Sequence, residues 1–188
     1  MKKNISQNNL TDLYNSEITK RNRRIYEQDL IQKREEGTKS KSKKSIFLSH
    51  SHIDKTIVLK IGLLFDRIKA ELYIDWMDKS LPEYTSDITA REIKTRIIET
   101  DRFLFLATYH GLRSKWCNWE LGIADASNNK MAILPIETKS GKWKGNEYLK
   151  LYPEMQFTID DLDKISINDI NIKKTNGEII SFKEWMFN

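Results

Sequence analysis

Arg102-Phe-Leu-Phe-Leu-Ala-Thr108, a polar turn at Gly111, and then Ser114-Lys-Trp-Cys-Asn-Trp-Glu-Leu-Gly-Ile-Ala-Asp125 read as a strand feeding a helix. Ser114 is a good N-cap, because its hydroxyl can accept one of the amide protons left free in a first helical turn. Cys117, Leu121 and Ala124 recur at i, i+4 and i+7 and predict the core-facing stripe. Trp116 and Glu120, also four apart, stack on a neighbouring stripe. An aromatic plate beside a carboxylate, just past the end of a strand, is a place where a nucleoside can be held and broken. Taken alone, the spacing favours the plainer reading, a core Trp and a solvated helix Glu.

Outward from this stretch the same grammar repeats. Ser45-Ile-Phe-Leu-Ser49 is a short apolar strand, and Asp54 is placed to cap a helix carrying Ile57, Ile61, Leu64, Phe65 and Ile68. Leu72-Tyr-Ile-Asp75 is a second strand, followed by a loop from Trp76 to Thr85. Ser86 or Asp87 opens a helix through Ala90, Ile93 and Ile97. Phe103 to Thr108 is the third strand and Met131-Ala-Ile-Leu-Pro-Ile136 the fourth. Strands alternating with helices predict an α/β fold, a parallel sheet with helices on both faces. Thr175-Asn-Gly177 between two Ile-rich runs is a hairpin signal, and Trp185 with Phe187 are expected to dock a closing helix.

The chain of 188 residues can bury one substantial core. Its formal charge of +5 is uneven, with +6 in residues 1–44 and −1 in the rest, so the basic character belongs to the N-terminal part. That argues against nucleic-acid binding by the folded body. Residues 1–43 are read as a basic helical arm and linker, and 44–188 as the folded domain. The arm's apolar line, Leu10, Leu13, Tyr14, Ile18, Ile25 and Leu30, is thin. It predicts either a solvated extension or half of a helix pair with another chain. The single cysteine, Cys117, excludes an internal disulfide and fits a reducing, cytoplasmic setting. No apolar run suggests a membrane span or secretion signal.

In an open parallel sheet, ligands bind beyond the strand C-termini where strand order reverses. For an order 2-1-3-4 that crevice lies between the first and third strands, so Ser49-His-Ser51 and the Trp116–Glu120 helix meet there. His50 and His52 lack a third ligand nearby, so no metal site is expected. The glycines form neither a P-loop nor a Gly-x-Gly-x-x-Gly fingerprint. Cys117 lies on the core stripe, which predicts an inert thiol. Read on their own, Asp54, Asp75 and Asp78 cap, turn or remain solvated.

Together these segments resemble a bacterial TIR (Toll/interleukin-1 receptor) domain of the NAD-cleaving type, with its flavodoxin-like sheet. The resemblance is carried by Ile46-Phe-Leu-Ser-His-Ser51, Tyr73-Ile-Asp75 and Ser114-Lys-Trp-Cys-Asn-Trp-Glu-Leu121. It runs from about Lys44 to Glu137 and more loosely through Pro153 and the final hairpin. It implies NAD+ as substrate rather than cofactor, Glu120 as the catalytic carboxylate and Trp116 as its aromatic partner. Ser49, His50, Ser51, Asp75 and Trp76 are the further implied substrate contacts. The loop Asp78-Lys-Ser-Leu-Pro-Glu-Tyr84 lacks the Gly of many members, so its own contacts do not transfer. The resemblance also implies self-association through TIR–TIR contacts. A stand-alone TIR with a helical arm resembles the signal-making half of a Thoeris-type antiphage system, whose product, linear or cyclic, is read by a separate effector. The alternatives are a non-enzymatic TIR adaptor and a nucleoside deoxyribosyltransferase.

Overall fold

A computed structural model describes residues 3–20, 28, 44–77, 86–127, 130–137, 146–159 and 161–188. An eight-stranded sheet organises them, ordered β3-β2-β4-β5-β6-β7-β8, with β1 paired to β5. The strands are β1 (Ile5–Ser6), β2 (Ser45–Ser49), β3 (Glu71–Tyr73), β4 (Arg102–Ala107), β5 (Lys130–Glu137), β6 (Glu154–Phe157), β7 (Ile170–Lys173) and β8 (Ile179–Ser181). The helices are α1 (Gln7–Lys20), α2 (Lys55–Arg67), α3 (Asp87–Glu99), α4 (Tyr109–Arg113), α5 (Lys115–Ala126) and α6 (Phe182–Phe187). Strands β2 to β6 pair in parallel, and β7 and β8 close the edge as the antiparallel hairpin expected around Asn176-Gly177. Gly177 sits at φ 88, a conformation that costs glycine nothing and other residues strain.

Strand alternation divides the core into two layers. Ile46, Leu48, Leu104, Leu106, Ala132 and Leu134 face one side, with α1, α2 and α6. Phe47, Phe103, Phe105, Met131 and Ile133 face the other, with Ile93 and Ile97 of α3 and Cys117, Leu121 and Ala124 of α5. Both sides of a central strand are therefore apolar, as a parallel sheet covered by helices requires. Phe47 bridges β3 and β4 by stacking on Tyr73 and Phe103, with ring centroids 5.4 and 5.7 Å away.

The largest departure from the sequence reading is at the N-terminus. Residues 3–20 are no solvated arm but a layer of the fold. Ile5 and Ser6 pair with Ile136 and Glu137, while Lys3 exchanges backbone hydrogen bonds of 2.9 and 2.8 Å with Phe157. The segment thus seats where the C-terminal ends of β5 and β6 part. Leu10, Leu13 and Tyr14 are buried against α2. Lys60 donates to Thr11 at 2.9 Å, and Arg67 bridges Glu17 of α1 to Asp163. Ile25, Leu30 and the linker lie outside the described residues, as does Asp78–Thr85 of the loop after β3.

Three smaller differences follow from packing. Glu154–Phe157 forms a strand that its composition did not signal. Trp185 is buried, its carbonyl held by the Arg102 guanidinium, but Phe187 points to solvent at 64% exposure and docks nothing. The stretch read as a loop begins inside the fold, with Met77 buried and Trp76 half-buried. Among the described residues no helix is long and apolar enough to cross a membrane.

Candidate active site

Strand order reverses between β2 and β4, and the crevice there is built from the exits of both. Thr108 ends the β4 run and caps α4 by accepting from Gly111 N–H at 2.9 Å. Its hydroxyl also donates to the buried Asp54 carboxylate at 2.5 Å, tying the turn after β2 to the turn after β4. Asp54 was expected to cap α2; it makes no side-chain cap bond there, because Thr108 holds its carboxylate. This clip is not legible in the sequence, where its two members lie 54 positions apart. Gly111 lies so close to the end of β4 that a Cβ would sit 2.5 Å from the Leu106 carbonyl oxygen. Gly111→Ala is expected to cost about 1–3 kcal/mol through backbone displacement, read as a lowered melting temperature.

Ser114 caps α5 as expected, accepting from Cys117 N–H at 3.2 Å. One turn further, Glu120 points inward and is only 2% exposed. Its Oε2 accepts from the Ser49 hydroxyl at 2.6 Å. The Trp116 side chain, one turn earlier on the same helix, hydrogen-bonds the same carboxyl. Glu120 is therefore a buried acid, not a solvated helix residue. Burial, and then the negative charge of Asp75, push its proton affinity well above the usual carboxylate range. The Ser49 and Trp116 hydrogen bonds pull it the other way.

Asp75 begins the turn after β3, where its Oδ1 accepts from Trp76 N–H at 2.8 Å and faces His50 Nε2 at 3.5 Å. His50 is buried, and its Nδ1 lies 3.0 Å from the Leu48 carbonyl oxygen. A carbonyl only accepts, so Nδ1 carries a proton in that contact. Ser49, His50, Asp75, Trp116 and Glu120 thus form one polar cluster from two strand exits and a helix.

Two expected site residues stand apart from it. Ser51 uses its hydroxyl on Ile53 N–H, capping a short turn. Trp76 packs on the α2 side of the sheet with Lys55 Nζ 5.5 Å from its ring centroid. Its indole N–H is buried without a hydrogen-bond partner among the described residues. Trp116 itself is half-buried, tilted against the partly exposed Trp119 with ring centroids 4.7 Å apart. The Cys117 thiol, fully buried beside Glu120, is pushed up to about 12, first by burial and then by that carboxyl, and is inert. Among the described residues no group of three His, Cys, Asp or Glu side chains is arranged to hold a metal ion.

The chain is 31% identical over 146 residues, 75% of its length and 74% of the relative's, to a Bacillus cereus protein named "Probable 3' cyclic ADP-D-ribose synthase ThsB'". It is 33% identical over 98 residues to a Cytobacillus dafuensis protein named "Putative cyclic ADP-D-ribose synthase TIR2", which it matches over 26% of that protein's length. The profile of the TIR domain matches residues 46–165, from β2 to beyond β6 and so including every member of the polar cluster, and the chain belongs to the TIR domain family.

Proposed function

We propose that this TIR domain cleaves NAD+ between nicotinamide and ribose and closes the ribosyl group onto a nucleophile within the same molecule, giving a cyclic ADP-ribose-type signal. The observation that carries the reading is the buried carboxyl of Glu120, fixed at the switch-point crevice between a strand-end hydroxyl and an aromatic side chain. The names of two relatives as cyclic ADP-D-ribose synthases support the same reaction class.

The chemistry suits one carboxyl. Nicotinamide leaves as a neutral base, so its departure needs no general acid. The bond electrons go to the pyridine nitrogen, and positive charge passes from the ring to the ribose. An oxocarbenium-like transition state is stabilised by a nearby anion and by hydrogen bonds to the ribose hydroxyls. A nitrogen or hydroxyl of the ADP portion then attacks the anomeric carbon and releases its proton, so NAD+ yields nicotinamide, a cyclic product and H+. Water attacking instead would yield ADP-ribose.

Glu120 helps only when ionised, and in the free protein burial and Asp75 favour its neutral form. A bound pyridinium reverses that preference, because a positive charge within a few ångströms favours the carboxylate. The bound substrate thus favours the anion that its own transition state uses. Trp116 holds the carboxyl and offers the remainder of its ring to the substrate. A pure adaptor has no use for such a buried acid.

The proposal extends to assembly. Copies of the domain associate through TIR–TIR contacts, and a separate antiphage effector reads the product. Mass spectrometry of NAD+ incubated with purified protein, across a hundredfold range of protein concentration, tests the reading. Nicotinamide and a product lighter than ADP-ribose by one water are expected, with specific activity rising with concentration. Intact NAD+ at the highest concentration would refute it.

A further inference from the structure

The sequence reading places Ser49 among the substrate contacts, but its surroundings say otherwise. Ser49 is the last residue of β2, in register with Phe105 of β4. It is 1% exposed, and its Oγ donates to Glu120 Oε2 at 2.6 Å. A buried hydroxyl committed to a carboxyl offers no free face to a ligand. We propose that Ser49 is a positioning residue, which holds the Glu120 carboxyl in the one orientation that meets the ribose and acts on the reaction only through it.

The physical basis is a matter of freedom and charge. A Glu side chain has three rotatable bonds, and fixing it for reaction costs entropy unless the fold has already done so. Ser49 from the sheet and Trp116 from α5 grip the carboxyl from two elements. The helix alone leaves its end free; the strand hydroxyl closes the geometry. The hydroxyl is also selective for charge, since O–H donates more strongly to a carboxylate than to a neutral acid. The other groups facing Glu120 are Asp75 from the turn after β3, with His50 behind it, and Cys117 and Trp116 from α5. Asp75 opposes ionisation and the thiol is neutral. Ser49 therefore works against both burial and Asp75.

This inference rests on the proposed NAD+ cleavage for its kinetic part and is independent of it for the rest. The experiment compares wild type, Ser49→Ala, Ser49→Cys and Ser49→Ala combined with Glu120→Gln. The free proteins are followed by 13C NMR of the Glu120 carboxyl against pH, and turnover of NAD+ is followed over the same range. In Ser49→Ala the Glu120 resonance is expected to titrate at higher pH than in wild type. Its kcat should fall about tenfold or more, the scale of a lost hydrogen bond to a charged group, while KM changes less than twofold. The acid limb of the kcat profile should move to higher pH in the same direction as the NMR titration. In the Glu120→Gln background Ser49→Ala should cause no further loss. Ser49→Cys, of similar size and a weaker donor, should fall between and serves if Ser49→Ala does not fold.

An unmoved Glu120 titration would overturn the proposal. So would a raised KM at constant kcat, or a further loss in the Glu120→Gln background; either would return Ser49 to direct substrate contact. A shifted titration in a protein that leaves NAD+ intact would retain Ser49 as the residue that positions Glu120 and refute the cleavage reaction alone.

Discussion

Glu120→Gln is expected to lose about a hundredfold or more of NAD+ turnover, the scale of a removed electrostatic contributor to a transition state, and to melt higher than wild type at neutral pH. The two effects have one cause. Burial and Asp75 raise the proton affinity of Glu120 in the folded protein above its ordinary value of 4.5. Between that ordinary value and the raised one, the folded state holds a proton that the unfolded state has released. Wild-type stability therefore falls as pH rises through this window. The neutral Gln has no such slope and keeps an oxygen to accept from Ser49. The melting-temperature difference should vanish near pH 4, grow in favour of Gln as pH rises, and level off once Glu120 ionises in the folded state too. Kinetics run the other way, since only the ionised carboxyl stabilises the ribosyl cation, so wild-type turnover should rise with pH on its acid side. Near-normal turnover in the variant would remove Glu120 from the reaction. A melting difference independent of pH would contradict the buried acid.

Leu10→Ala is expected to cost about 2–5 kcal/mol, the usual range for emptying a fully buried leucine site. For a domain of this size that lowers the melting temperature by on the order of 5–15 °C. Leu10 is 0% exposed and Leu13 1%, both packed in the layer that includes α2. The outcome separates two pictures of residues 3–20. A solvated arm would tolerate the change without effect on melting. A helix paired with another chain would show its loss in sedimentation, at an unaltered melting temperature extrapolated to low concentration. An integral layer, as the structure has it, fails thermally in the monomer itself. Lys60→Met, which removes the 2.9 Å bond to Thr11 at the edge of the same contact, should cost far less.

What the residues alone determined is what depends on neighbours a few positions away. The strands around Phe47, Phe103 and Ile133 follow from short apolar runs, and the hairpin follows from Asn176-Gly177. The caps at Ser86 and Ser114 follow from hydroxyls that reach amides three residues on. The alternation of these elements implies a parallel sheet, and the sheet implies a crevice at its switch point, which the order of the elements assigns to Glu120. The tertiary structure decided what depends on distant partners. The face at Leu10, Leu13 and Tyr14 looked too thin to bury because its hydrophobicity says nothing of the complementary surface α2 offers. Phe187 looked like an anchor and is exposed, because Trp185 and Arg102 already complete that contact. Ser49 and Ser51, two residues apart in one motif, take different roles because β2 ends at Ser49, which faces Glu120, and the chain has left the strand at Ser51, which caps the following turn. The protonation of Glu120 was equally hidden. It is set by burial and by Asp75 and Ser49, groups 45 and 71 positions away, and proton affinity responds to spatial neighbours rather than sequence ones.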